Sequence, residues 1–157
     1  MNLERLQHLR VDNDLYQKDI AKLLDVNQQT YSAWESGNKI IPLKRLNKIC
    51  NYFNISMDYV LNLSDVKMPN NNIQILELDK KLIGERLKII RSKYKLTLRE
   101  IASELNTTSS TISAYETGKT LILTAFAYQI CKKYHISIDW LCGKSDVMII
   151  NKEKITI

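Results

Sequence analysis

The chain has 157 residues, room for one ordinary domain or two small ones, with 23 lysines and arginines against 17 aspartates and glutamates, a net charge of +6. Hydrophobic residues are 45% and charged residues 25%, a globular composition, while glycine (4) and proline (2) are too scarce for a turn-rich β architecture. No apolar run reaches the ~18 residues of a membrane span, and the charged N-terminus lacks the apolar stretch of a secretory leader, so a cytoplasmic protein is expected. Three cysteines without a CxxC pair and two histidines argue against a disulfide framework or a zinc site. No metal or cofactor is expected.

In chain order, Leu3, Leu6 and Leu9 mark an amphipathic helix. A second starts after Leu15, with Ile20, Ala21, Leu23 and Leu24 on its apolar face, and Asp25, a residue type that tolerates the left-handed conformation, ends it in a tight turn. A third runs from Gln28 to Glu35 and stops at Gly37. Pro42 opens a fourth at its first turn, with Leu43, Leu46, Ile49, Cys50 and Phe53 inward, and Ser56 caps a short fifth. The segment 67–80 begins as a loop and then alternates from Ile73 to Leu78, which predicts a short strand.

The chain then repeats itself. A slide of 81 residues superposes residues 4–66 on 85–147 without a gap, and about a third of the positions are identical. Among them are Arg10/Arg91, Ile20-Ala21/Ile101-Ala102, Glu35/Glu116, Gly37/Gly118, Cys50/Cys131, Ser56/Ser137 and Asp58/Asp139. The sequence therefore predicts a first domain at 1–66, a linker at 67–80, a second domain at 81–147 and a tail at 148–157 that carries one or two more short strands. Linker and tail strands are expected to pair, within the chain or across a homodimer. The second helix of repeat two has a capping box, Thr97-x-x-Glu100, where repeat one has Tyr16 and lacks that cap.

Gln17 to Gly37, and Leu98 to Gly118 with its ending Ile112-Ser113-Ala114-Tyr115-Glu116-Thr117-Gly118, resemble the phage repressor/Cro-like (XRE) helix-turn-helix family. The stretches Ile55 to Leu61 and Ile136 to Leu141 are similar to that family's last helix. The resemblance covers about 125 residues and recurs twice in register, although both copies lack glycine in the turn. It implies a mainly α chain of two tandem five-helix DNA-binding domains, and pairs Arg10 with Glu35 and Arg91 with Glu116 as internal ion pairs that orient helix one on helix three. Phosphate contact is the alternative for Arg10.

In such folds the start of the third helix meets base edges in the major groove. Repeat one presents Asn27, Gln28, Gln29 and Ser32 there, and amides bond adenine bidentately. Repeat two presents Thr108, Ser109, Ser110 and Ser113, short hydroxyls that discriminate less. The resemblance gives Gln17 a phosphate contact that also braces the reading helix. Leu98 stands in its place in repeat two, where Thr97 and Arg99 are the substitutes. Asn38, Lys39 and Lys44, with Lys119 and Thr120, are placed to meet the backbone. Tyr31, Trp34 and Tyr115 read as core, Cys50 and Cys131 as small hydrophobes, and His8 and His135 as surface or packing residues.

The charge divides unevenly. Residues 1–65 hold 8 basic and 8 acidic side chains, and residues 81–146 hold 11 and 6. The reading that follows is a DNA-binding regulator, a repressor in its expected biological role, in which repeat one reads sequence and repeat two supplies phosphate affinity. Two heads on a linker that extends roughly 46–50 Å, at ~3.3–3.6 Å per residue, would reach two half-sites ~34 Å apart. The competing reading is a protein-binding module, an anti-activator, antitoxin partner or phage-encoded inhibitor, on the same scaffold. No triad, phosphate loop or paired carboxylates suggest an enzyme.

Overall fold

The computed structural model describes residues 1–150. These form ten helices in two sets of five: α1 (Glu4–Asp12), α2 (Gln17–Leu23), α3 (Gln28–Glu35), α4 (Leu43–Phe53) and α5 (Met57–Val60), then α6 (Lys80–Lys93), α7 (Leu98–Glu104), α8 (Ser109–Glu116), α9 (Thr124–Tyr134) and α10 (Ile138–Leu141). Local chemistry sets most boundaries. Asn27 Oδ1 accepts from the Thr30 amide at 2.8 Å, and Ser56 and Ser137 hydroxyls accept from the Tyr59 and Trp140 amides at 3.1 and 3.0 Å. Asp25 (φ 55°) and Asn106 (φ 52°) make the turns between the second and third helices in the left-handed conformation.

The cap on α7 is complete, with Thr97 N–H donating to Glu100 at 2.7 Å and Glu100 N–H to the Thr97 hydroxyl at 3.1 Å. At α2 the hydroxyl half is missing, as Tyr16 predicts, but the carboxylate half is present: Tyr16 N–H donates to Asp19 at 2.7 Å. Pro42 stands one residue outside α4 as its N-cap, with ψ of 143°, because its fixed φ suits the extended cap as well as the first turn. α6 starts a turn earlier than α1 would suggest and runs across the end of α8. Gly84 permits that approach, since a Cβ there would lie 2.3 Å from the Tyr115 carbonyl oxygen.

Each repeat is organised around one ion pair. Arg10 Nε and Nη2 donate to the two Glu35 oxygens at 2.9 and 2.8 Å, and Nη1 donates to the Leu15 carbonyl at 2.8 Å. Arg91 does the same with Glu116 (2.6 and 3.2 Å) and the Leu96 carbonyl (3.0 Å). Burial works against the Glu35 carboxylate, yet Arg10, Tyr31 and Gln17 together outweigh it and hold the group below its usual range. Tyr31, Trp34 and Tyr115 lie in the core around these pairs.

The linker is not a strand. Residues 73–78 run without ladder pairing, and their polar groups are met by side chains: Asn47 and Asn51 Nδ2 both donate to the Ile75 carbonyl, at 2.9 and 2.7 Å. The alternation of apolar residues therefore records a segment lying along α4, with Leu78 packed against the core. Among the described residues the linker forms no ladder with the tail; Ile73 N–H donates instead to the Lys144 carbonyl of the second domain, at 2.7 Å. In the tail, Ile149 forms an isolated antiparallel bridge with Ile136 of the same repeat. The strand expected over Ile155–Ile157 lies outside the described residues.

The repeats are joined face to face. α5 packs on α10, and each helix start is capped by an aspartate of the other. Asp139 accepts from the Met57 and Asp58 amides at 3.0 and 2.8 Å; Asp58 accepts from the Ile138 amide at 2.7 Å and the Ser137 hydroxyl at 2.5 Å. The Lys144 ammonium, 1% exposed, donates to Asn47 and Asn51 Oδ1 at 2.9 and 3.0 Å, and the Thr124 hydroxyl donates to the Ile41 carbonyl at 2.6 Å. The linker does not separate two independent heads, because these contacts dock them directly.

Two outcomes test this account. Arg10→Met leaves Glu35 buried without its partner and lowers unfolding free energy by about 3–5 kcal/mol, measured by denaturant titration. Burial, followed by the like charge of Asp139, pushes the Asp58 carboxyl well above the usual carboxylate range. A raised folded pKa contributes stability that is present at low pH and lost as pH rises through it. Asp58→Asn, which keeps an acceptor for Ile138, is therefore more stable than the parent at pH 8, and the advantage shrinks on acidification. The difference between the two melting curves isolates Asp58 from Glu35, whose lowered pKa acts with the opposite sign.

Candidate nucleic-acid interface

The exposed polar face of repeat one gathers at the start of α3. Gln17, Asn27, Gln28, Gln29, Ser32 and Asn38 line one open groove of about 720 Å³, and none of the residues lining it is charged. Glu35, at the far end of α3, is 4% exposed and paired with Arg10, and Asp25 stands exposed in the turn two residues before Asn27, outside the lining of the groove. The groove thus offers amide and hydroxyl donors and acceptors without a negative charge that would repel a polyanion.

The residues in it have unequal freedom. Gln28 and Gln29 are exposed in the first turn of α3, ahead of any intrahelical use of their side chains. Asn27 spends its Oδ1 on capping α3, which leaves its amide protons facing outward as donors only. Gln17 donates from Nε2 to Glu35 Oε1 at 3.2 Å, so it braces the end of α3 through the ion pair. Ser32 is half-buried.

Repeat two builds a plainer face. The Thr108 hydroxyl accepts from the Thr111 amide at 3.2 Å and lies 2.9 Å from the Thr111 hydroxyl, so the α8 cap uses it. Ser110 is exposed, and Ser109 and Ser113 are half-buried. Thr97 keeps its hydroxyl proton to donate while capping α7, and Arg99, Lys119 and Thr120 are exposed, as are Asn38, Lys39 and Lys44 in repeat one.

Part of the basic excess of repeat two is interior. Arg91 is held by Glu116 and Lys144 is buried between the repeats, while Lys133, exposed at the surface, pairs with Glu104 at 2.8 Å. Arg86 turns onto the carbonyls of Trp140 and Ser145, the latter at 3.1 Å, and lies over the Trp140 ring. Arg5 does the equivalent in repeat one, with the Tyr59 and Ser64 carbonyls at 3.0 and 2.7 Å. Lys81, Lys88, Lys93, Lys95, Arg99, Lys119 and Lys132 remain exposed. Sequence reasoning missed both the arginine braces and the aspartate exchange, although the identity of Arg5 with Arg86 and of Asp58 with Asp139 was their visible signal.

The cysteines are inert. Cys50, Cys131 and Cys142 are fully buried, and burial pushes all three thiols up. His8 is exposed beside Glu4, and His135 ends α9 in the left-handed conformation. Among the described residues, no three histidine, cysteine, aspartate or glutamate side chains form a metal-binding group, and no helix is long and apolar enough to cross a membrane.

Comparison with known proteins matches this arrangement twice. The pattern of the "Helix-turn-helix domain" family fits residues 3–66 and again 84–147. Over 69 residues, 44% of this chain, the sequence is 29% identical to an uncharacterized HTH-type transcriptional regulator, YobD, of Bacillus subtilis (strain 168). The match spans 62% of that relative's length. No solved structure matches the chain.

Proposed function

Because the chain belongs to the XRE-type helix-turn-helix family through both of its repeats, we propose that it is a sequence-specific regulator of transcription that binds double-stranded DNA and acts as a repressor. The observation that carries this reading is the uncharged groove at the start of α3, with Gln28 and Gln29 exposed in the first helical turn. α3 enters the major groove and its two glutamines bond base edges. Asn27 donates from its amide, and Ser32 contacts a base edge or the backbone deeper in the groove. Asn38, Lys39 and Lys44 meet the adjacent phosphates, and Gln17 meets one while holding Glu35.

α8 occupies the second half-site with Ser109, Ser110 and Ser113, which read sequence weakly. Arg99, Lys119, Thr97 and Thr120 hold the backbone there. Thr108 contributes through the α8 cap and not through a base contact. The exposed lysines of repeat two raise affinity and association rate without sequence information. One chain supplies both heads, so a second copy is not required for two-site binding, and the operator is composite because the two reading faces differ. A docked pair of domains seated on an operator excludes other proteins from it, which is repression. The relative's description as a transcriptional regulator supports the same reading.

In-vitro selection of bound DNA at fixed salt, repeated with α3 or α8 disabled, tests the whole scheme. Recovery of no preferred sequence overturns it. Gln28→Ala with Gln29→Ala lowers specific affinity by about 1–3 kcal/mol for each bidentate pair lost and leaves binding to scrambled DNA nearly intact. Arg99→Ala with Lys119→Ala has the complementary signature: the slope of log affinity against log salt falls by roughly 0.9 per phosphate contact removed, with sequence preference unchanged. Fluorescence anisotropy across a salt series measures both.

A further inference from the structure

We infer that the joint between the repeats is itself a specificity element: it dictates that the two half-sites are inverted relative to one another and held at a single spacing. This rests on the DNA-binding reading above and deepens it, by assigning spacing and orientation specificity to residues that touch no base.

The orientation follows from reciprocity. Under the 81-residue correspondence, Met57 is equivalent to Ile138 and Asp58 to Asp139. The Met57 amide donates to Asp139 Oδ1, and the Ile138 amide donates to Asp58 Oδ1. Residue i meets j and the equivalent of j meets the equivalent of i, the mark of an interface built about a two-fold axis. Tandem copies in sequence are therefore opposed copies in space. Two equal heads related by such an axis present their reading helices to DNA in inverted orientation. A loose 14-residue tether would accept direct and inverted half-sites alike.

The single spacing follows from contacts that this symmetry does not require. Lys144 has no lysine counterpart, since Leu63 stands at the equivalent position, and its partners Asn47 and Asn51 correspond to Tyr128 and Lys132. Thr124 likewise corresponds to Leu43. These one-sided bonds pin repeat two to α4, beside the aspartate exchange, and to the Ile41 carbonyl. Asn47 and Asn51 also hold the linker at Ile75, so the same two amides bind the ammonium with their oxygens and the linker with their nitrogens. Contacts at separate points on one interface remove the rocking freedom that a single contact would allow. The buried ammonium has strong directional partners that cannot be exchanged for water without exposing the site.

The test uses the full chain and DNA duplexes carrying the selected half-sites in direct, inverted and everted order, with the gap varied one base pair at a time. The parent protein binds one inverted spacing best, and at other spacings affinity falls towards that of a lone half-site, with loss of an avidity gain of ~10²–10⁴-fold. Lys144→Met and Asp139→Ala flatten that profile while affinity for a lone half-site is unchanged. Without DNA, single-molecule FRET between dyes on Lys22→Cys and Ser103→Cys, both exposed on the second helices, gives one narrow distance in the parent and a broad one in the variants. The native cysteines are buried and do not compete for label. If Asp139→Ala fails to fold, Lys144→Met and Thr124→Val carry the comparison. Specific half-site binding that ignores spacing and order, a preference for direct repeats, or a broad distance in the parent overturns the inference alone. Absence of any sequence-specific binding overturns the functional reading with it.

Discussion

Two carboxylates buried against each other's helix are the constraint on which the rest of this molecule depends. Asp58 and Asp139 are 6% and 0% exposed, a costly placement for groups that ionise readily in water. Each is offset by two donors from the opposite repeat, and the N–H groups it accepts are among those a helix start leaves without an internal partner. Neither short helix, α5 or α10, completes its own hydrogen bonding. The repeats meet here because each aspartate accepts from amides that the opposite helix leaves open.

That exchange explains the asymmetries elsewhere. Once the last helices are opposed, the segment after α10 falls against α4, and a lysine there must find oxygen acceptors or remain an uncompensated charge. Asn47 and Asn51 meet it, and their amide nitrogens then hold the linker backbone. The ammonium, the two side-chain amides and the linker carbonyl thus form one connected set. The interior arginine–glutamate pairs play a separate part within each repeat, fixing the third helix to the first and leaving the exposed face of α3 free of charge.

The two repeats differ in what they expose. The amide-rich groove belongs to the neutral repeat and the hydroxyl-rich face to the basic one. Yet three of the cations of repeat two, Arg86, Arg91 and Lys144, are engaged in internal contacts and Lys133 is paired with Glu104 at the surface, so net charge overstates what its surface offers an anion. Counting charges from the sequence cannot separate a surface lysine from one that replaces solvent with amide oxygens.

What was legible in the sequence was what neighbours along the chain decide. Helix boundaries follow from caps three residues away, left-handed turns from Asp25 and Asn106, inward faces from 3.6-residue spacing, and the exposed start of α3 from the polarity of Asn27, Gln28 and Gln29. The duplication was equally plain, because it is a property of the string. The linker misled because alternating apolar residues look the same in a strand and in an extended segment laid over a helix; only the partners of its carbonyls distinguish them. By itself, then, the sequence determined two helix-turn-helix units and the side chains each turns outward. Only the tertiary structure decided that the units are docked directly on each other, that Asp58 and Asp139 cap each other's helices, and that Lys144 is interior. Those are contacts between residues about 80 to 100 positions apart, set by which unsatisfied donors meet which acceptors when two surfaces close.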